Sequence, residues 1–193
     1  MLFYNKTKNN FIFAIKLKIK TMNTIKTLAI AIVLLISVNV LAQQKTTYEQ
    51  LPEGTTMVNL NDSKYAGMSF ENIINLYKGK VIYLDFWASW CRPCKNEMPH
   101  SLKMQQHFKG QDVVFLYISS DRDANAWKNS VKALKITGEN YLVSGKVWNE
   151  YNTLFNVQYI PRYVLIDKEG NVVNENAKRP SSPESIKDIE KLL

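Results

Sequence analysis

The sequence predicts an α/β fold in which a central mixed sheet is flanked by helices. Three observations carry that expectation. Short apolar runs of strand length alternate with longer segments of helical period from about Tyr48 onward. The run at 80–88 (KVIYLDFWA) is too apolar to alternate cleanly, as a buried strand is, and 112–120 (DVVFLYISS) reads as a second central strand. With 46% hydrophobic and 22% charged residues, the chain can bury a core and does not have the composition of a disordered one.

The elements follow in order. Residues 55–61 (TTMVNLN) read as a short strand, and 69–77 (SFENIINLY) as a short helix ending before Gly79. The strand at 80–88 gives way to a helix over 92–108, interrupted at Pro99, where a missing N–H should kink it. A second central strand at 112–120 precedes a second helix at 124–135. A strand at 140–144, a helix at 146–155 and a Pro-led strand at 162–167 come next. Glu169-Gly170-Asn171 turns the chain into 172–174, and 183–193 is an amphipathic closing helix. Ser182 suits its N-cap, with Pro183 at the first helical position. The two central strands joined by a helix need a right-handed crossover and should be parallel. The region from Gly138 to Tyr151 is expected to be an insertion after the second main helix, with a bearing on partner choice.

The formal charge of +8 is concentrated at the start of the chain. Residues 1–42 hold Lys6, Lys8, Lys16, Lys18, Lys20 and Lys26 with no acidic residue, which leaves 19 basic against 17 acidic groups in the rest. No nucleic-acid partner follows from so balanced a remainder. A basic lead, the apolar run from Leu28 to Val38 and the small-residue end Val40-Leu41-Ala42 describe a secretory signal peptide. The run is shorter than the roughly 20 residues that span a bilayer, so cleavage after Ala42 is favoured over an uncleaved anchor. Cleavage would leave no stable membrane insertion. Met22 opens a complete signal by itself. The expected organisation is 1–21 as a basic extension or misassigned start, 22–42 as signal, 43–51 as linker and 52–193 as the folded domain.

The chain has two cysteines, Cys91 and Cys94, at the predicted strand-to-helix junction. A disulfide closing so short a loop removes little unfolded-state entropy, so a structural staple is a poor reading. A sulfur among the free N–H groups at a helix start is instead stabilised as thiolate. Cys91 is the expected nucleophile, with Arg92 adding positive charge and Pro93 fixing the first turn. Cys94, one helical turn on, is placed to resolve a mixed disulfide at Cys91. Zinc would need four ligands, and His100 and His107 lie roughly 10 Å apart along a helix, too far to share one ion. No metal is expected.

Asp85 interrupts the apolar run VIYL-D-FW, where a carboxylate is costly. Burial would raise its pKa and suit it to move protons for the second thiol, whereas a solvent-facing strand position would leave it idle. Glu97 falls one turn after Cys94, either to tune the thiols or as a solvated helix charge. Trp87 reads as core, and Trp90 as a partly exposed rim that touches substrate.

The stretch WASWCRPCKNEMP, with Asp85-Phe86 before it, resembles the thioredoxin superfamily signature. Glu97-Met98-Pro99 and the export signal make it similar to the TlpA/ResA-like branch of thiol-disulfide oxidoreductases, over approximately Pro52 to the C-terminus. The resemblance implies a thioredoxin-like fold. It gives the attacking role to Cys91, the resolving role to Cys94, a buried proton-handling role to Asp85 and a cavity-lining role to Glu97. It places Ile160-Pro161 in the cis-proline loop that meets the substrate backbone. One departure stands out: thioredoxins carry a buried lysine near the aspartate, and here Tyr117 takes that place.

The function so implied is exported reduction of extracytoplasmic protein disulfides, with a membrane electron donor re-reducing the pair and no cofactor. Alternatives on the same fold are a disulfide oxidase or isomerase and a copper carrier using the thiols as soft ligands. A peroxidase would need a threonine where Ala88 stands.

Overall fold

In the computed structural model, the described residues are 51–193. The extension, the signal segment and nearly all of the linker lie outside them. Six strands and five helices follow one another as β1 (Thr55–Asn59), α1 (Phe70–Asn75), β2 (Val81–Trp87), α2 (Arg92–His107), β3 (Val113–Ser119), α3 (Ala124–Ala133), β4 (Gly138–Leu142), α4 (Gly145–Phe155), β5 (Arg162–Ile166), β6 (Val172–Asn174) and α5 (Pro183–Glu190). A single 3₁₀ turn, Ser63–Tyr65, precedes α1.

The strands form one mixed sheet in the order β1-β4-β3-β2-β5-β6. β1, β4, β3 and β2 run parallel, as the helical crossover between β2 and β3 requires. β5 and β6 close the other side antiparallel. All seven residues of β2 are buried, which explains why its sequence does not alternate. Alternate residues nevertheless serve different layers. Tyr83 and Trp87 join Cys94, Met98 and Met104 of α2, Trp127 and Val131 of α3 and Ile189 of α5. Ile82, Leu84 and Phe86 face Phe70, Ile73 and Ile74 of α1 and Tyr151 and Phe155 of α4.

Local chemistry sets the ends of the elements. Ser69 and Asn72 form a capping box at the start of α1, and burial of Phe70, Ile73 and Ile74, at about 1.5–3 kcal/mol each, holds this short helix to the sheet. Pro99 does not divide α2. The helix is one element of 16 residues, and its buried face (Cys94, Glu97, Met98, Ser101, Met104) outweighs one missing backbone bond. Ser182 is the N-cap residue of α5, as expected, with Pro183 following it, but its side chain makes no capping bond, because its hydroxyl donates to the Glu184 carboxylate rather than accepting from the helix start.

The segment expected as an insertion supplies β4 and the beginning of α4. β4 starts two residues earlier than its apolar pattern suggests and lies between β1 and β3, so the addition is built into the sheet. Gly138 makes that start possible: its φ is +87°, and a Cβ there would stand 2.7 Å from the Phe115 carbonyl oxygen. Among the described residues, no helix is long and apolar enough to cross a membrane.

Candidate functional site: a disulfide at a helix start

The chain leaves β2 at Trp87 and enters α2 at Arg92, which makes Cys91 the N-cap residue of the longest helix among the described residues. Its backbone is extended (φ −79°, ψ 98°), and its sulfur accepts the Cys94 N–H at 3.2 Å. One of the unsatisfied donors of the first helical turn is therefore spent on Cys91 Sγ. The two sulfurs are bonded to each other at 2.09 Å, with Cα atoms 5.3 Å apart. Cys94 is fully buried and Cys91 retains 4% of its surface, so what little of the pair is exposed belongs to Cys91. Arg92 and Pro93 are exposed in the first turn.

Asp85 is buried in the middle of β2, with 1% exposure. Neither carboxyl oxygen has a hydrogen-bond partner among the described residues. Burial, and then the nearby Glu97 charge, push its pKa well above the ordinary carboxylate range. The sheet register puts a tyrosine directly opposite it on each side, Tyr117 on β3 and Tyr163 on β5. Tyr117 thus stands beside Asp85, but its hydroxyl is engaged with Ser101 Oγ at 2.6 Å and Gln105 Nε2 at 2.7 Å. No cation faces Asp85 from β3.

Glu97, expected to line the site, is buried and tied to the segment between β6 and α5. Ser181 donates to it through both its backbone N–H and its hydroxyl, each at 3.0 Å, and the Arg179 guanidinium lies 3.6 Å away. Its carboxylate is therefore fixed by the C-terminal part of the chain while its charge acts on Asp85. The Ile160–Pro161 peptide is cis. Ile160 packs against the cluster containing both cysteines and shares with Trp90 a groove of about 1140 Å³. Trp90 is 67% exposed at its rim, while Trp87 is fully buried. His100 and His107 are exposed, and His107 pairs with Glu190 at 3.1 Å. Among the described residues no group of three or more His, Cys, Asp or Glu side chains is placed to hold a metal ion.

Sequence reasoning missed a third buried carboxylate. Asp121, just after β3 and 2% exposed, accepts the Ser89 N–H at 2.8 Å, the Ser89 hydroxyl at 2.6 Å and the Ser119 hydroxyl at 2.7 Å. This anchors the loop two residues before Cys91. Nothing in ISSDRD marks that role, because Ser89 and Asp121 meet only through the β2–β3 pairing. Ser181 and Tyr163 were missed for the same reason.

Residues 79–172 match the profile of the thioredoxin-like family. The chain is 30% identical over 125 residues to the thiol-disulfide oxidoreductase ResA of Bacillus subtilis, covering 65% of this chain and 67% of that protein. It is 32% identical over 99 residues to the ResA of Bacillus thuringiensis, covering 51% of this chain and 56% of that protein's length. Among solved structures, the thioredoxin domain of a thiol-disulfide oxidoreductase from Bacteroides vulgatus superposes with a TM-score of 0.56 at 26% identity, covering 61% of this chain and 81% of that one. The fold, the paired sulfurs at the start of α2 and these likenesses agree: the chain belongs to the thioredoxin superfamily, among its TlpA/ResA-like thiol-disulfide oxidoreductases.

Proposed function

We propose that the protein is an exported thiol-disulfide oxidoreductase that reduces disulfides in extracytoplasmic proteins and is re-reduced by a membrane electron donor. The observation that carries this reading is the placement of Cys91 Sγ at the N-cap of α2, where it accepts the Cys94 N–H. In the reduced protein that donor and the helix dipole favour the Cys91 thiolate. The thiolate attacks a substrate disulfide, forms a mixed disulfide and releases one substrate thiolate. Cys94 gives its proton to a base, for which Asp85 is the buried candidate, and attacks Cys91 Sγ. The second substrate sulfur then leaves with its electron pair, and the Cys91–Cys94 bond carries the two electrons' worth of oxidation. Trp90, Arg92, Pro93, Ile160 and Pro161 form the exposed or half-buried surroundings that a substrate chain would meet. Glu97 contributes through Asp85. Export, and with it a periplasmic location, rests on the signal segment at 22–42.

The test is a Cys94→Ser variant presented with extracytoplasmic proteins. It should accumulate mixed disulfides at Cys91 that a reductant releases, and Cys91→Ser should accumulate none. The same helix-start position would serve an oxidase, with Arg92 further favouring thiolate. A redox titration separates the two: a potential near that of thioredoxin, about −270 mV, supports reduction, and one near −120 mV defeats it. Stoichiometric Cu(I) binding that survives a competing chelator would instead favour the copper carrier.

A further inference from the structure

Buried polar groups are nearly always hydrogen-bonded, and each exception asks for a reason. Two exceptions here are neighbours: both oxygens of Asp85 and the hydroxyl of Tyr163 make no bond among the described residues. They are direct partners across the antiparallel β2–β5 pair, so their side chains stand side by side on the face that packs on α2. The other tyrosines and the carboxylate near Asp85 are committed elsewhere. The Tyr83 hydroxyl donates to the Lys178 carbonyl at 2.6 Å. Tyr117 is held by Ser101 and Gln105. Glu97 is occupied by Ser181 and Arg179. Trp87 Nε1 and Trp127 Nε1 are also unpaired, but neither residue stands opposite Asp85 on a neighbouring strand.

Tyr163 is also among the residues that line a cleft of about 350 Å³, with Pro161, Arg162, Arg179 and Ser182. We propose that Tyr163 is a positioning residue for Asp85: its hydroxyl donates, directly or through one water, to the Asp85 carboxylate once the carboxyl has released its proton. The proton balance is simple. Asp85 loses one proton to solvent before each turnover, becomes the base that takes the Cys94 proton, and returns to its neutral form. Tyr163 stays neutral throughout, held so by burial, which raises its own pKa far beyond the working range. The titratable groups that interact with Asp85 are Tyr83 on its own strand, Tyr117 on β3, Tyr163 on β5 and Glu97 on α2, whose carboxylate has Arg179 beside it; Cys91 and Cys94, in the same buried cluster, are joined as a disulfide and do not titrate in this form.

The catalytic meaning of this inference rests on the thiol-exchange reading, but its test does not need activity. In the oxidised protein, the Asp85 carboxyl carbon is followed by NMR as pH is raised. Tyr163→Phe should move its midpoint upward by about one to two pH units, the size expected when a charged group loses one hydrogen bond. Tyr117→Phe, whose hydroxyl is engaged elsewhere, should move it less. In the unsubstituted protein the Tyr163 Cζ shift should change at the Asp85 midpoint. At pH 5 the phenylalanine variant should unfold at the same urea concentration as the parent or a higher one, because it removes an unpaired buried hydroxyl. An unmoved Asp85 midpoint, or a Tyr163 Cζ shift blind to it, overturns the proposal. A protein that titrates as expected but exchanges no disulfides overturns the functional reading instead.

Discussion

Glu97 and Ser181 are joined twice, 84 residues apart in the chain: the backbone N–H and the hydroxyl of Ser181 both donate to the Glu97 carboxylate at 3.0 Å. This bond pair clamps the redox helix to the segment that leads into α5. It also keeps a buried negative charge within reach of Asp85.

Replacing Glu97 should separate its two effects. Glu97→Ala loses two charge-assisted bonds and should lower stability by about 2–3 kcal/mol in urea unfolding, with little of that due to the exposed Arg179. Glu97→Gln keeps the shape and removes the charge. The Asp85 midpoint should then fall, read from its carboxyl carbon shift. A midpoint that stayed put would mean that burial acts on Asp85 alone.

Asp85 should make stability depend on pH in a definite direction. Its folded pKa lies well above the ordinary 3.8, chiefly through burial and then through the Glu97 charge. Between the two values the folded protein holds a proton that the unfolded chain gives up. The stability so contributed is full below the unfolded pKa and is lost as pH rises through the raised folded one. Asp85→Asn leaves no charge to bury, so its urea midpoint should exceed the parent's at pH 8 and by less at pH 5. Parallel pH profiles for the two proteins would contradict this.

Asp121 should matter to stability although it lies outside the redox motif. Asp121→Ala leaves the Ser89 N–H and two hydroxyls without their acceptor and should cost about 3 kcal/mol in denaturant unfolding. Faster proteolysis between Ala88 and Cys91 is expected as well, since that loop loses its anchor. A loss under about 0.5 kcal/mol would show that other groups take over the serines.

Gly138 is the tightest backbone contact at the start of β4. Gly138→Ala sets a Cβ 2.7 Å from the Phe115 carbonyl oxygen, in a left-handed conformation that alanine rarely adopts. A loss of about 3 kcal/mol is expected in thermal or urea unfolding, combining backbone strain with overpacking. Gly170→Ala, with a side-chain methyl at 3.3 Å instead of a carbonyl, should cost less.

Most of the fold was legible because its signals are local. Apolar runs such as VIYLDFW mark strands, the segment SFENIINLY reads as a short helix, and a C-x-x-C pair at a strand-to-helix boundary marks redox chemistry wherever the chain goes afterwards. Boundaries were less legible where a tertiary contact moves them. β4 begins at Gly138 because β1 pairs with it there and β3 from Glu139, ahead of its apolar residues. Ser182 has the residue type of a cap, yet its hydroxyl turns to Glu184.

By itself the sequence determined that Cys91 heads a helix, that Cys94 follows one turn later and that Asp85 sits in an apolar strand, since each depends on spacing within one segment. Only the tertiary structure decided what surrounds them: two tyrosines flanking Asp85, Ser181 holding Glu97, and Asp121 anchoring Ser89. Those relations join residues far apart in the chain, and they follow from strand order and register, which no single segment encodes.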